Sequence, residues 1–155
     1  MKDIYDFLIE KDISADTKKQ IVAIAEDYTQ DFFTKGLPED IFVDMGFQRA
    51  ICVKIKAEII AFVVFTCLDG SLHPTLMATK RNFSGKGYGK ILMNKLIEYA
   101  EKHGLNSIEL YTFSPQSRPK YAATVGFYKS MGFEIDREHK DLWEKGTTTL
   151  KMRKS

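Results

Sequence analysis

Ser84-Gly85-Lys86-Gly87-Tyr88-Gly89-Lys90 is the stretch on which the reading of this chain turns. It stands between a predicted strand that ends near Lys80 and a predicted helix that opens at Gly87. The helix rests on spacing. From Gly87 to His103, Ile91, Leu92, Leu96, Ile97 and Ala100 share one face, Lys90, Asn94, Lys95, Glu98 and Glu101 point outward, and Gly104 supplies a stop. A helix start carries unpaired N–H groups and about half a positive charge, so glycines that let a ligand reach the main chain make an anion site there. Lys86 and Lys90 add local positive charge. Spacing excludes two other phosphate loops. GxxxxGK[ST] fails because Ser84 stands where its first glycine belongs and Ile91 follows Lys90; GxGxxG fails because Lys90 occupies the place of its third glycine.

Working outward, the chain alternates readable elements without repeats or linkers. Ile4 to Ile9 reads as a strand, and Ser14 to Tyr28 as a helix with Ile21, Ile24, Ala25 and Tyr28 at helical spacing and Ser14 or Asp16 as cap. A short helix is expected over Glu39 to Met45, after Pro38. From Phe47 to Ile55, Phe47, Ile51, Val53 and Ile55 are expected on one face and Gln48, Ala50, Cys52 and Lys54 on the other, with Arg49 out of pattern. Ile59 to Leu68 is almost continuously apolar, as a central strand buried on both faces would be, and Asp69-Gly70 turns the chain back through Leu72 to Lys80. Beyond the long helix come a strand at Ser107 to Phe113, a loop at Pro115 to Pro119 and a helix over Tyr121 to Met131. A closing strand pair is expected at Phe133 to Ile135 and Thr147 to Lys151, joined by the charged segment Asp136 to Gly146.

Composition narrows the function classes. At 155 residues, 44% hydrophobic and 28% charged, the chain has the size of one domain with a sufficient core. A formal net charge of +2 gives no electrostatic footprint for a nucleic acid, and the closing Lys151-Met152-Arg153-Lys154 is too short for a basic arm. No run reaches the about 18 apolar residues of a membrane span, and Met1 to Glu10 lacks a signal-peptide core, so a cytoplasmic protein without a membrane partner is expected. Cys52 and Cys67 lie in apolar strands without CxxC or CxxH companions, which predicts buried free thiols and no metal site. His73, His103 and His139 are the histidines, and no serine sits in a GxSxG elbow, so no nucleophile triad assembles. A homodimer stays open.

The loop resembles motif A of the Gcn5-related N-acetyltransferases (GNAT), whose pattern Arg/Gln-x-x-Gly-x-Gly/Ala falls on Ser84, Gly87 and Gly89. A second family segment, Phe-Tyr-x-x-x-Gly-Phe, matches Phe127-Tyr128-Lys129-Ser130-Met131-Gly132-Phe133. The likeness runs from about Ile59 to Phe133. It implies a mixed α/β (α+β) fold over residues 1–155: one domain with a central, mostly antiparallel, splayed sheet of about six or seven strands flanked by about four helices. Ser84 departs from the usual Arg or Gln, which removes a side-chain contact and leaves the main chain to hold the anion. Tyr121 and Thr124 stand where the family often has Asn and Ala, and Gly126 inside the helix costs about 1 kcal/mol relative to Ala.

By the same resemblance the cofactor is acetyl-coenzyme A, and the acceptor a primary amine of a small molecule or a protein. Met77, Ala78 and Thr79 would offer main-chain bonds to the pantetheine arm, and Ser84, Gly85, Lys86, Gly87, Tyr88, Gly89 and Lys90 would hold the pyrophosphate. Tyr128 matches the position that protonates the departing thiolate. With ordinary pKa values near 10 for a phenol and about 8.5 for a thiol, full transfer is uphill by about 2 kcal/mol, so hydrogen bonding would dominate. An amine of pKa about 10.4 is only about one part in a thousand neutral near pH 7.4, so its proton needs a route. Thr75 stands where many relatives have Glu, which leaves His73, Glu109 or a water chain as that route. Acceptor selection is expected near Phe32, Phe33 and Asp136 to Gly146, with Trp143 as a candidate wall. Two rival readings are a non-catalytic coenzyme A binder and an acyltransferase that uses another acyl group.

Overall fold

The hydroxyl of Ser14 accepts the N–H of Thr17 at 3.3 Å and starts the first helix, α1 (Ala15–Glu26), as its sequence position foretold. The computed structural model describes residues 4–28 and 48–155. The short helix expected over 39–45 and the wall residues Phe32 and Phe33 lie outside them. The chain divides into two compact units: Met1–Thr66 with Thr75–Glu98, and Cys67–Pro74 with Tyr99–Ser155.

In the first unit β1 (Asp6–Glu10) pairs antiparallel with β2 (Arg49–Ile55), and β2 with β3 (Glu58–Leu68). The β2–β3 turn places Lys56 and Ala57 at φ 51° and 69°, both in the left-handed region. Ile21, Ile24 and Ala25 of α1 form one apolar cluster with Ala50, Cys52, Phe62 and Val64, against which Leu8, Leu76 and Ala78 pack. The residues of the opposite alternation, Ile51, Val53, Val63 and Phe65, are fully buried as well. Ala50 and Cys52 thus face away from Ile51 and Val53, as the alternation predicted, and Cys52 is a buried free thiol as expected. The small side chains of that face are the surface on which α1 sits, so β2 is buried on both sides at its centre. Cys67 is only half-buried, unlike Cys52.

β4 (Ser71–Thr79) begins in the second unit, where Ser71 and Leu72 pair parallel with Ser107 and Ile108 of β5 (Ser107–Phe113). The Ser71 and Ser107 hydroxyls meet at 2.7 Å. β5 pairs antiparallel with β7 (Thr148–Lys154), and β7 with β6 (Glu134–Lys140). The hydrogen-bonded order is β1-β2-β3-β4-β5-β7-β6, a mixed seven-stranded sheet. The helices α2 (Tyr88–Lys102) and α3 (Ala122–Ser130) complete three α-helices among the described residues. None of these is long and apolar enough to cross a membrane.

The closing strands run further than their sequence pattern suggested. Asp136 to Lys140 is strand rather than connecting loop, and His139 with it. Every residue of β6 except His139 is exposed, so this edge strand has no apolar face to produce alternation.

Gly126 sits mid-helix in α3, with nothing within 4 Å of the place a Cβ would take. Packing therefore does not demand glycine there. Gly126→Ala should stabilise the protein by about 1 kcal/mol, read as a higher urea midpoint at unchanged m-value.

Candidate active site

After β4 the chain makes one tight helical turn, Arg81–Phe83, and enters the glycine loop through Ser84 in extended conformation. Gly85 and Gly87 follow at φ 76° and 90°, and nothing lies within 4 Å of a Cβ at either position. L-residues rarely adopt this backbone, and the open space on the same side leaves the peptide groups approachable. Ser84 to Gly87 are exposed. The helical bond from Ile91 N–H to the Gly87 carbonyl, 3.1 Å, shows where α2 closes its first turn. The amides of Gly89 and Lys90 come before it, where a helix offers donors to an anion. Tyr88 itself is buried, its ring edge-on to Tyr5 and Phe83. Its side chain anchors the helix start, which leaves its main chain for any ligand role. Lys86 Nζ lies 5.5 Å over the Phe83 ring, which keeps its charge beside the loop.

The loop's entry is tethered. Arg81 stacks over the Tyr28 ring at 4.4 Å and donates through Nε to the Asp27 carbonyl at 3.1 Å. The Tyr28 hydroxyl donates to the Thr79 carbonyl. The end of α1 thus holds both the last residue of β4 and the residue that begins the turn. Met77, Ala78 and Thr79 are half-buried. Tyr28 was read only as a helix-face residue and Arg81 not at all, because 51 residues separate Tyr28 from Thr79 and no local pattern joins them.

In the second unit the two residues considered as bases come together. His73 Nδ1 is 3.9 Å from Glu109 Oε2. Glu109 Oε1 in turn lies 3.5 Å from Arg153 Nε and 3.8 Å from Lys151 Nζ, and Lys151 reaches Asp136 at 3.6 Å. Register accounts for the cluster: Arg153 stands directly opposite Glu109, Lys151 one pair further along the same face, and the β6 ladder shifts register between Ile135 and Arg137, next to Asp136. Lys151 and Arg153 were missed as partners, because the pairing of β5 with β7 has to be known before their alternation means anything. Thr75 has its hydroxyl within reach of the Gln48 side chain and the Val64 carbonyl.

Tyr128 lies on α3 between Phe127 and Phe133, with ring centroids 5.6 and 5.7 Å away. Burial pushes its phenol up to about 12, and the neighbouring Tyr121 adds to the shift. Burial likewise raises the Cys52 thiol to about 12, with a smaller push from Glu10, which rules it out as a nucleophile near neutral pH. His103 stacks on Tyr99 at 4.0 Å and shares a 2.9 Å contact with that residue's carbonyl, at the C-terminal end of α2. His139, expected in a loop, is on β6 beside Tyr111, and its Nε2 is buried without a hydrogen-bond partner among the described residues. Trp143 is 51% exposed and stands edge-on to Phe113, so it is both a surface aromatic and a packed one.

The family model described as "Acetyltransferase (GNAT) family" matches residues 18–133. An uncharacterized N-acetyltransferase of Methanocaldococcus jannaschii is 40% identical over 53 residues, which are 34% of this chain and 21% of that protein. The chain therefore spans about a fifth of that curated relative's length. Among solved structures, a putative GNAT acetyltransferase from Desulfovibrio desulfuricans superposes with a TM-score of 0.82 at 14% identity, over 96% of this chain and 98% of the other. An aminoglycoside 6'-N-acetyltransferase complexed with coenzyme A superposes with a TM-score of 0.74 at 14% identity, over 95% and 96%.

The Tyr128 shift has a stability consequence with a defined sign. Below the ordinary tyrosine value of 10.0, folded and unfolded chains both hold the proton and the native state keeps its full advantage. Above it the unfolded chain ionises first, and stability falls until the folded phenol ionises at about 12. Tyr128→Phe should therefore lose less stability than the parent between pH 10 and 12, measured as urea midpoints across that range.

Proposed function

This chain belongs to the acetyltransferase (GNAT) family, and we propose that it transfers an acetyl group from acetyl-coenzyme A to a primary amine of a small molecule or a protein. The observation that carries this reading is the loop: two left-handed glycines, Gly85 and Gly87, one residue apart with open space beside them, running into the start of a 15-residue helix. That is a main-chain anion cradle, and it fits a diphosphate without help from an Arg or Gln at Ser84. Coenzyme A in a structural relative of the same fold agrees with it. The family match runs from residue 18 to 133 through both compact units, which supports one acetyltransferase domain.

When bound, acetyl-coenzyme A supplies an activated thioester carbonyl and a thiolate leaving group. The chain's residues then have three tasks. The amides from Gly85 to Lys90, with the Lys86 and Lys90 charges, hold the diphosphate, and main-chain groups of Met77, Ala78 and Thr79 position the pantetheine arm. Tyr128 serves the leaving sulfur. At about 12 against about 8.5 for a thiol, complete proton transfer from its phenol would cost about 5 kcal/mol. Tyr128 therefore acts as a hydrogen-bond donor that stays protonated throughout the physiological range. His73 and Glu109 supply the route for the amine's proton.

Coenzyme A or acetyl-coenzyme A at 100 times its dissociation constant should add about 2.7 kcal/mol, raising Tm by about 5–10 °C. Gly87→Val, which puts a branched side chain on a left-handed backbone at the cradle, should abolish that shift. Absence of any shift in the parent protein with either compound would sink the reading. Tyr128→Phe should keep the shift and lower turnover about 10²-fold. Turnover is read as free-thiol release with a panel of polyamines, aminoglycosides, amino acids and peptides with free N-termini. A cofactor-dependent shift with no release from any amine would identify a binder instead of an enzyme, and a larger shift with succinyl-coenzyme A would change the acyl group.

A further inference from the structure

Two histidine and carboxylate candidates for one task turn out to be a single unit. The β4–β5 ladder joins Ser71 to Ser107 and Leu72 to Ile108, and His73 and Glu109 are the next residue on each strand. Pro74 follows His73; it has no N–H to donate and it holds the preceding residue in extended backbone, so the imidazole projects from a fixed stem.

The surroundings of the two groups assign them different roles. Glu109, only 17% exposed at its side chain, has one oxygen facing Arg153 and Lys151 and the other facing His73 Nδ1. Two cations therefore tie Glu109 in place. His73 stands differently: among the described residues the charged group facing it is Glu109, and its side chain keeps 27% of its surface. A carboxylate facing Nδ1 favours the tautomer with its proton on that nitrogen, which leaves a lone pair on Nε2. The 3.9 Å separation needs about 1 Å of movement to become a hydrogen bond, and such bonds commonly tighten when substrate is present.

We propose, resting on the acetyltransferase reading above, that His73 Nε2 accepts the proton of the incoming ammonium group and that Glu109 is the positioning residue that holds the imidazole for it. The ammonium N–H bond breaks with its electron pair left on nitrogen, and the proton passes to Nε2. The neutral amine forms the new N–C bond as the C–S bond breaks toward sulfur. The sulfur departs as a thiolate that accepts a hydrogen bond from Tyr128, which keeps its proton; the thiolate takes the proton shed by the acylated nitrogen, and the proton on His73 is the one released to solvent in each turnover. Lys151 lies between Glu109 and Asp136, and Arg153 lies beside the Glu109 oxygen that faces away from His73.

The test needs no known acceptor at its first stage. In the full chain labelled with ¹⁵N at histidine, long-range nitrogen–proton correlations should show His73 as the Nδ1–H tautomer, and Glu109→Gln should move it toward the ordinary Nε2–H form. An Nε2–H tautomer in the parent, or no response to Glu109→Gln, overturns the pair. With an amine that gives thiol release and saturating acetyl-coenzyme A, His73→Gln should lower kcat/KM for the amine about 10²-fold, and Glu109→Gln about 10- to 100-fold. Both should keep the cofactor's thermal shift. Glu109→Gln should add nothing in the His73→Gln background, and imidazole should restore turnover to His73→Gly. Additive losses, or no rescue by imidazole, overturn the assignment. An amine panel that yields no release defeats the acetyltransferase reading and this assignment with it, while the tautomer result alone defeats only the pair.

Discussion

Seven consecutive residues of β3, Ile59 to Phe65, are sealed from water, and a strand with no solvent face must be covered on both sides. That requirement organises the first unit. α1 covers one side through Ile21, Ile24 and Ala25, which explains why β2 presents Ala50 and Cys52 there rather than larger groups. Tyr88 of α2 meets Tyr5, and Lys95 lies over Phe7, so the second helix is fixed beside β1 by its first two turns. The loop that precedes α2 is pinned at both ends, because the residues on either side of its exposed glycines, Phe83 and Tyr88, are packed against each other.

What could be read from the residues was what is local. The cap at Ser14, the turn at Asp69-Gly70, the amphipathic α2 and the glycine loop each announce themselves within a few positions, and each stands where expected. The doubly buried β3 was legible too, because its composition alone excludes a wet face. β6 was not. Its residues Glu134, Asp136, Arg137, Glu138 and Lys140 are charged on both faces, and an edge strand leaves no signature when neither side is buried. β2 alternated as expected, but that α1 covers its Ala50 and Cys52 face could not be read locally, because the contact joins residues far apart in the chain.

The site divides along the same line. The proposed anion cradle rests on main chain and on left-handed conformations that glycine signals directly, so its backbone geometry was legible from position and spacing. The acid–base groups depend on which strands lie side by side. His73 and Glu109 stood in the sequence as separate candidates; the β5–β7 register sets Arg153 opposite Glu109, and the β4–β5 ladder ends one residue short of His73 and Glu109. Tyr128 was identified by its motif, but how acidic it is follows from burial among Phe127, Phe133 and Tyr121.

The charge-rich β6 has a physical use apart from any reaction. An exposed strand margin is a ready template for another chain, and charged side chains of both signs along it penalise indiscriminate hydrogen bonding by strangers. The charges from Glu134 to Lys140 thus guard the open edge of the sheet against pairing with other strands.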